Sequence, residues 1–407
     1  MNYLKHRIKH PLETYNLYVP LITFFFPMDQ FLLFGGLACL FIVLNVKEQI
    51  KIIKYKHNYI LYLFTLYMIL IAYLNSNTLG LVASFFLILV TIYTTYVRYK
   101  LRVETFETMM ILLGLGSMLS LYYTTIDFYT TSTYKLYQFM MIYIKIPYSF
   151  ITGIAENFRS TSTYINPNFY GHICAFITVV AVYYVLDSIK KMKLNWKIYL
   201  PKLLFYSVVI VVNLIGLRLT ESRSAFIGLV LGLIFLLSTY NFKLFFIIVI
   251  PAFVYVYLNP VLLLQLFPRV STIELEAQVR IDLYLAAINE IKHNFLFGKG
   301  LYTMPLIIQN YGLKYQIHAH NLMLEVFLSS GFIGFLLLGY HFISPLIKPI
   351  ETWIKSDHPY VPLVIGICAL QIGNGFTDAI IVFPQTFILI SLIFFSLEMK
   401  HENHKTN

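Results

Sequence analysis

Two histidines and an asparagine stand immediately before a long apolar run that contains two glycines. His318, His320 and Asn321 precede the run, and Gly331 and Gly334 lie inside it. If a helix begins near His320, the 11 residues to Gly331 make about three turns, so both residues share one face. Small residues on one face let a second helix approach closely. The spacing predicts a titratable imidazole at the start of a helix whose glycine-lined side packs against a neighbour.

Three arginines carry positive charge of the kind that binds phosphate. Arg218 and Arg223 flank a short polar segment between two apolar runs, and Arg280 lies in a helical pattern that follows the capping-box sequence of residues 271–274. Arginine binds phosphate through paired hydrogen bonds, although an arginine at a membrane surface often contacts lipid headgroups instead. If these arginines converge with a histidine, they form a site for an anionic substrate beside a base.

A further polar group, N-P-N-F-Y-G-H, begins at Asn166 and opens another apolar run. Asparagine followed by proline is typical of a helix N-cap with proline in the first turn. A capping role accounts for Asn166, and we also count Asn166 and Asn168 as candidate supporting residues of the site.

The composition decides which elements must position these side chains. The chain is 58% hydrophobic and only 12% charged, with a mean hydropathy of +0.72, which is far from a soluble domain. Apolar runs of about 20 residues recur throughout, the length that spans a bilayer as a helix. The predicted spans are residues 13–27, 30–46, 58–75, 79–97, 103–123, 167–186, 199–217, 223–240, 243–259, 320–343, 360–376 and 384–398.

The predicted fold class is therefore all-α: a polytopic integral membrane protein with about 12 transmembrane helices and two long extracytoplasmic loops. We divide this single membrane domain into N-terminal helices (1–123), an outer loop with interfacial helices (124–166), central helices (167–259), a large outer loop (260–319) and C-terminal helices (320–407).

The basic residues predict the orientation in the membrane. About two thirds of the 30 lysines and arginines fall on segments that are cytoplasmic if both termini are cytoplasmic. This pattern accounts for the net charge of +11 without nucleic acid as a partner. Arg218 and Arg223 are exceptions because they lie in a short outer loop. The protein is predicted to be a multi-pass protein of the plasma (inner) membrane, with all the candidate site residues on the outer side.

The three cysteines do not indicate a function. Cys39, Cys174 and Cys368 all lie inside apolar runs. An odd, scattered set predicts neither a disulfide framework nor a metal site, and we interpret these residues as small lipid-facing or core residues.

The histidine segment carries a resemblance to a known family. His320-Asn321, nine further residues and Gly331-Phe-Ile-Gly334 resemble the signature of the O-antigen ligase and O-antigen polymerase (Wzy-type) superfamily, from which only Phe335 departs, at its last position. Arg223 within S-R-S-A-F resembles that family's arginine at the start of a span. Arg280, before the G-K-G of residues 298–300, resembles its second arginine. The resemblance covers roughly residues 160–380.

The resemblance implies a GT-C-like membrane glycosyltransferase acting on undecaprenyl-pyrophosphate-linked glycan at the outer membrane face. Arg223 and Arg280, with Arg218, would bind the pyrophosphate, and His320 would take the proton of the acceptor hydroxyl. Direct attack would invert the anomeric centre, with no cofactor and no metal, since the sequence offers no D-x-D pair. The implied partners are the lipid-linked glycan, an acceptor glycan or glycolipid, the bilayer, and a flippase and a chain-length regulator of the same pathway.

Several alternatives stay open at this point. A repeat-unit polymerase for capsule, exopolysaccharide or O-antigen is favoured over a ligase, because the Ile-, Lys-, Asn- and Tyr-rich composition is typical of AT-rich genomes. A different glycosyltransferase would use Asp29 as its base, and a transporter or flippase for the same lipids would place charges at mid-membrane depth. Glu325 is about 140° from His320 on one helix and is excluded as its same-face partner. Asp378 is predicted to pair with an arginine.

Overall fold

The computed structural model describes residues 11–26, 28–125, 160–164, 166–240, 246, 251, 273–313, 316–353, 358–376, 378–379 and 383–399. Within these ranges every regular element is helical, as the predicted fold class requires. The α-helices are α1 Pro11–Thr23, α2 Met28–Leu44, α3 Val46–Lys54, α4 Tyr59–Leu74, α5 Thr78–Lys100, α6 Val103–Thr125, α7 Pro167–Lys191, α8 Trp196–Thr220, α9 Arg223–Tyr240, α10 Ile273–His293, α11 Met304–Ile307, α12 Leu322–Trp353, α13 Val361–Gly375 and α14 Pro384–Phe395. Short 3₁₀ turns follow α3, α11 and α14.

The membrane character of the chain is evident in the lengths of these helices. Six described helices (α5, α6, α7, α8, α9 and α12) are long and apolar enough to cross a bilayer, and the pair α2 and α3, bent by 97°, could form a seventh span. The apolar helices α4, α13 and α14 are shorter. A helix is found at every predicted span from 13–27 to 223–240 and from 320–343 to 384–398. Of the span 243–259 only residues 246 and 251 are described. The interfacial helices predicted for the first outer loop and Ser271 of the capping box lie outside the described residues.

Helix α7 lies at the centre of the bundle and packs against α6, α8, α9 and α13. Its start follows the local sequence: the Asn166 side chain accepts a hydrogen bond from the backbone N–H of Asn168 at 2.7 Å, and Pro167 occupies the first turn. The capping role predicted for Asn166 is confirmed. Because Asn166 makes the cap, the side chain of Asn168 is available for a tertiary contact.

Glycines bring α9 and α13 into backbone contact. A Cβ on Gly228 would lie 2.9 Å from the Leu370 carbonyl oxygen, and one on Gly232 would lie 3.0 Å from that of Gly366. The two helices are antiparallel, so one further turn places the start of α9 beside the chain that follows α13. Arg223 is therefore at the end of the bundle where α13 ends.

Helix α12 differs from its prediction in two respects. It begins at Leu322 instead of near His320, whose φ of +51° is left-handed. It is also interrupted at Gly331, where φ is 60° and ψ is −170°. His320 and Gly331 therefore do not share a helical face, and the predicted glycine-lined stripe is wrong.

The interruption at Gly331 is filled by the chain that follows α10. The backbone N–H groups of Phe332 and Ile333 donate to the carbonyls of residues 295 and 296, at 2.8 and 3.1 Å. In return, Lys299 and Gly300 donate to the carbonyls of residues 328 and 329, at 3.0 and 2.8 Å. These bonds use donors and acceptors that a continuous helix would have used internally.

Only glycine fits at the centre of this contact. A Cβ on Gly298 would lie 2.6 Å from the Gly331 nitrogen, and one on Gly331 would lie 2.5 Å from the Gly298 nitrogen. The Tyr67 hydroxyl lies 2.7 Å from the Phe297 carbonyl and 2.8 Å from that of Ser330, and its ring would be 3.0 Å from a Cβ on Gly334. We call Gly298, Gly331, Gly334 and Tyr67 the glycine joint. It fixes the segment after α10 to α12.

Candidate functional site

The loop that carries the two histidines is held by α12. The buried carboxylate of Glu325 accepts hydrogen bonds from the backbone N–H of Ala319 at 2.8 Å and from the Ser329 hydroxyl at 2.9 Å. Asn321 caps the helix, because its side-chain oxygen accepts from the backbone N–H of Leu324 at 3.1 Å. Glu325 thus supports the histidine loop through its backbone, which agrees with its exclusion as a direct partner of His320.

Both imidazoles meet one buried carboxylate, that of Asp378, which is only 1% exposed. His318 Nε2 lies 3.5 Å and His320 Nδ1 lies 3.6 Å from the same oxygen, Asp378 Oδ1. The Asn168 amide donates to Oδ2 at 3.0 Å, and the backbone N–H of Ala379 donates to Oδ1 at 2.9 Å. Asp378 was predicted to pair with an arginine. It is instead shared by two histidines, because the chain beyond α13 turns toward the histidine loop.

The protonation of His318 follows from its contacts. Its Nδ1 accepts the backbone N–H of His320 at 3.3 Å, so the proton of the neutral ring is on Nε2 and faces Asp378. Burial, reinforced by the charge of His320 and opposed by Asp378, lowers the pKa of His318 to about 4. At neutral pH, His318 is therefore neutral, and its Nε2 lies 3.5 Å from the carboxylate.

His320 has a different arrangement. Its Nε2 is 3.1 Å from the side-chain oxygen of Gln316, and its Nδ1 makes no hydrogen bond within the described residues although Asp378 is nearby. Burial by itself would raise the pKa of Asp378, but the interactions with His320 and His318 lower it well below its usual range. Asp378 is therefore ionised, and it favours a proton on the Nδ1 that faces it. The Nε2 of His320 lies against the Gln316 oxygen, which can only accept a hydrogen bond, so with Nδ1 protonated Nε2 can accept a proton only when the Gln316 amide turns or moves aside.

The ligand atoms of His318, His320 and Asp378 lie within 4.8 Å of one another, close enough to hold one metal ion. Two histidines and a carboxylate are a common donor set for divalent metals. In the observed arrangement, however, the Nε2 of His318 carries a proton and cannot act as a ligand without a change of tautomer. The three residues can therefore form a proton-handling group as they stand, whereas a metal ion would need a change of tautomer at His318.

Of the predicted arginines, two are on elements that lead to this cluster. Arg223 is the first residue of α9, at the end of the bundle where α13 ends. Arg280 is one turn before Tyr284, whose hydroxyl lies 3.1 Å from the carbonyls of both His320 and Phe376. Burial raises the pKa of Tyr284, and the positive charge of Arg280 opposes this shift. The α10 helix thus touches the histidine loop one turn from Arg280.

Arg218, the third candidate, is held differently. Its guanidinium is 3.7 Å from the Glu221 carboxylate and its side chain is about half exposed. Gly331 and Gly334 belong to the glycine joint and touch no member of the histidine cluster, so their support for the site is indirect, through the position of α10.

Sequence reasoning missed three contributors to the site: the shared role of Asp378, the Tyr284 contact and the Gln316 contact. The four-residue spacing between Arg280 and Tyr284 was a usable signal, since it places both on one side of a helix. A second buried polar pair lies one turn from Asn168 along α7, where the Nε2 atoms of His172 and Gln371 are 3.1 Å apart. No sequence signal linked those two residues.

The comparison with family models gives one match. The model described as O-Antigen ligase matches residues 208–339, about a third of the chain. The matched region contains the three candidate arginines, His318 and His320, and Gly331 and Gly334. Asn168 and Asp378 lie outside it. No curated protein matches the chain.

Proposed function

We propose, from the match of residues 208–339 to the O-Antigen ligase model, that the chain is a member of the O-antigen ligase and polymerase superfamily: a membrane glycosyltransferase that uses undecaprenyl-pyrophosphate-linked oligosaccharide at the outer face of the plasma membrane. Its favoured reaction is the polymerisation of repeat units of a capsule, exopolysaccharide or O-antigen. The observation that carries the proposal is the buried Asp378 carboxylate held between two imidazoles, beside Tyr284 of the helix that also carries Arg280.

His320 is the catalytic base in this proposal. With Nδ1 protonated and facing Asp378, its Nε2 takes the proton of the acceptor hydroxyl as that oxygen attacks the anomeric carbon. Asp378 is a positioning residue that fixes the tautomer of His320 and stabilises the imidazolium that forms. A buried carboxylate performs the same task in serine-protease triads. His318 and Asn168 hold Asp378 in turn.

The arginines act on the other side of the reacting bond. As the acceptor oxygen bonds to the anomeric carbon, the bond from that carbon to the phosphate oxygen breaks, and its electron pair leaves with undecaprenyl pyrophosphate. Arg223 and Arg280 bind this leaving group and stabilise its growing negative charge. Attack from the face opposite the leaving group inverts the anomeric centre. The step consumes no redox equivalent and requires no covalent enzyme intermediate.

Gln316 lies at the place where the acceptor must bind. In the structure its amide is the neighbour of His320 Nε2, the atom that must meet the acceptor hydroxyl. We infer that Gln316 moves aside or turns its amide when the acceptor arrives. The hydroxyl then replaces the amide as the partner of Nε2.

The decisive experiment uses the purified chain in liposomes supplied with undecaprenyl-pyrophosphate oligosaccharide. The native chain should extend the glycan, and His320→Ala should leave single repeat units. His293→Ala is the matched control, because His293 is an exposed histidine whose Nδ1 contacts a backbone carbonyl in α10. Full-length polymer from His320→Ala would refute the role of the base.

A second pair of variants tests the arginine. Arg223→Lys should also lose activity, since lysine cannot form the paired contact with phosphate. Arg102→Lys, at an exposed position before α6, is the control. If Arg223→Lys is as active as the native chain, Arg223 does not bind phosphate through paired hydrogen bonds and acts only as a contact to lipid headgroups. Transfer of intact polymer to an unrelated glycolipid, without extension of repeat units, would instead identify a ligase.

A further inference from the structure

We propose that the exposed face of α10 and the turn at residues 295–297 are embedded in the hydrocarbon of the leaflet on the histidine side. The sequence predicts a large outer loop for residues 260–319, so this assignment moves part of that loop into the bilayer. We call the exposed apolar side chains of this region the lipid-facing ridge: Ile281, Leu285, Ile288, Phe295, Leu296 and Phe297.

The position of the turn along α12 is the first argument. The turn is hydrogen-bonded to the backbone around Gly331, within the apolar stretch Leu322–Ile347, which is 26 residues long. At 1.5 Å per residue, Gly331 is about 13 Å from the start of the helix. A helix of that length, about 39 Å, exceeds a hydrocarbon core of about 30 Å by only a few ångströms on each side. The turn therefore lies below the membrane surface.

The side chains of the turn support the same position. Phe295, Leu296 and Phe297 are 48%, 52% and 53% exposed, although three consecutive large apolar residues rarely face water. Phe295 stacks on Phe332 of α12 with ring centroids 5.6 Å apart. Phe332 and Leu336 are themselves exposed on the lipid-facing side of a membrane-spanning helix. The ridge is continuous with that surface.

Helix α10 has two apolar faces. One face, with Leu283 and Ala287, is buried against Leu328 of α12 and the segment around α11. The other has Ile281, Leu285 and Ile288 at intervals of four and three residues, and all three are exposed. A stripe of this kind beside a polar face is typical of a helix that lies in the membrane interface.

The polar residues of α10 define the boundary of the ridge. Gln278, Asp282, Asn289 and His293 follow one another along the side of the helix next to the stripe. Lys292 ends the stripe, and its long side chain can carry the ammonium to headgroup level. The helix thus turns its apolar stripe to hydrocarbon and its polar side to water or headgroups.

The ridge also bears on the proposed function, although it does not depend on it. Arg280 directly precedes Ile281, the first residue of the stripe. If the chain acts on a polyprenyl pyrophosphate, the lipid tail stays in the bilayer along the ridge while its pyrophosphate reaches Arg280.

Cysteine labelling in liposomes tests the insertion without using activity. Phe297→Cys and Leu285→Cys place thiols on the ridge, and His293→Cys places one on the polar side of the same helix. The native chain has only Cys39, Cys174 and Cys368, all in helices of the bundle, so its own labelling by a membrane-impermeant maleimide gives the background. We expect His293→Cys to react at least tenfold faster than both ridge variants, with equal labelling after denaturation in detergent.

Equal reaction rates for the three variants in liposomes would overturn the proposal. Phe297→Trp supplies an independent measurement, since bromines on lipid acyl chains should quench its fluorescence more strongly than that of His293→Trp. The fluorescence of the two native tryptophans is measured on the unmodified chain and subtracted. Equal quenching would also overturn the proposal. Because neither measurement needs substrate, failure here is distinct from failure of the transferase assignment.

Discussion

Two carboxylates at opposite ends of α12 are held by different kinds of partner. Asp378 lies between His318 and His320, just before the helix begins. Glu398 binds Arg98 through two hydrogen bonds, one of 3.0 Å from the guanidinium Nε. Arg98 also donates to Ser344 of α12 at 3.2 Å. The 22 residues from Leu322 to Ser344 separate the two clusters by about 30 Å.

The partners determine what each cluster can do. A guanidinium does not lose its proton in a protein, so Arg98 cannot exchange a proton, and the Lys56 Nζ lies 3.5 Å from Glu398 on another side. This cluster joins α5 to the 3₁₀ turn after α14 and is structural. An imidazole has two ring nitrogens, so one can bind or release a proton while the other keeps its partner, and the Asp378 cluster is therefore chemically able to handle a proton. Burial alone does not distinguish the structural carboxylate, Glu398, from the proton-handling one, Asp378. The chemistry of their partners distinguishes them.

The largest expected effect is on activity. Asp378→Asn should lower the transfer rate by about 10²- to 10⁴-fold, since His320 loses the charge that orients it. The thermal midpoint in detergent should also fall, because the NH2 group that replaces one oxygen cannot accept the hydrogen bond from Asn168 or from Ala379, so the rate is expressed per folded molecule. Initial rates in liposomes measure the first quantity. If Asp378→Asn retains more than a tenth of the native rate, the proton site does not drive the reaction.

Glu398→Gln should lower the stability of the chain and leave its transfer rate unchanged. Removing one partner leaves the Arg98 charge buried, which destabilises a protein by about 3–5 kcal/mol. The rate per folded molecule should stay near the native value. Reversible unfolding in mixed micelles measures the free energy. The double variant Arg98→Met with Glu398→Leu should recover part of the loss, and a catalytic defect in that double variant would contradict a structural role.

The third prediction concerns pH. His318 has a pKa lowered to about 4 in the folded chain, below the ordinary value of about 6.5 for an unfolded histidine. Between these values the unfolded chain binds more protons, so stability falls as the pH falls from 6.5 to 4. At pH 4.5 the loss should be about 2 to 3 kcal/mol. His318→Gln keeps a donor for Asp378 and should flatten this part of the profile; an unchanged slope would show that other groups produce it.

The smallest effect is expected at the glycine joint, which lies between the two clusters. Tyr67→Phe removes a hydroxyl that contacts two carbonyls and should destabilise the chain by about 1 kcal/mol. The dependence of stability on pH should not change, and the stability contributed by the Arg98–Glu398 pair should not change either. Tyr73→Phe, at an exposed position of the same helix, is the control. Equal effects of the two variants would mean that the Tyr67 contacts contribute no stability.

Sequence reasoning succeeded where the cause is local. Hydropathy predicted the helices because the bilayer demands about 20 apolar residues for each span. Asn166 and Pro167 predicted the start of α7 because a cap involves adjacent residues. The same reasoning failed at Gly331, because it assumed an unbroken helix. The break depends on hydrogen bonds from residues 295–300, which periodicity cannot reveal.

The sequence by itself determined the class of the protein and the candidate chemistry: a helical membrane protein with arginines and histidines beside apolar spans. Tertiary structure alone decided which carboxylate serves the histidines. Asp378 meets Asn168 across 210 residues of chain, and its position follows from the packing of α7, α9 and α13. The strength of an electrostatic interaction depends on the distance between the groups and on how much water surrounds them. Those quantities exist only once the helices have packed.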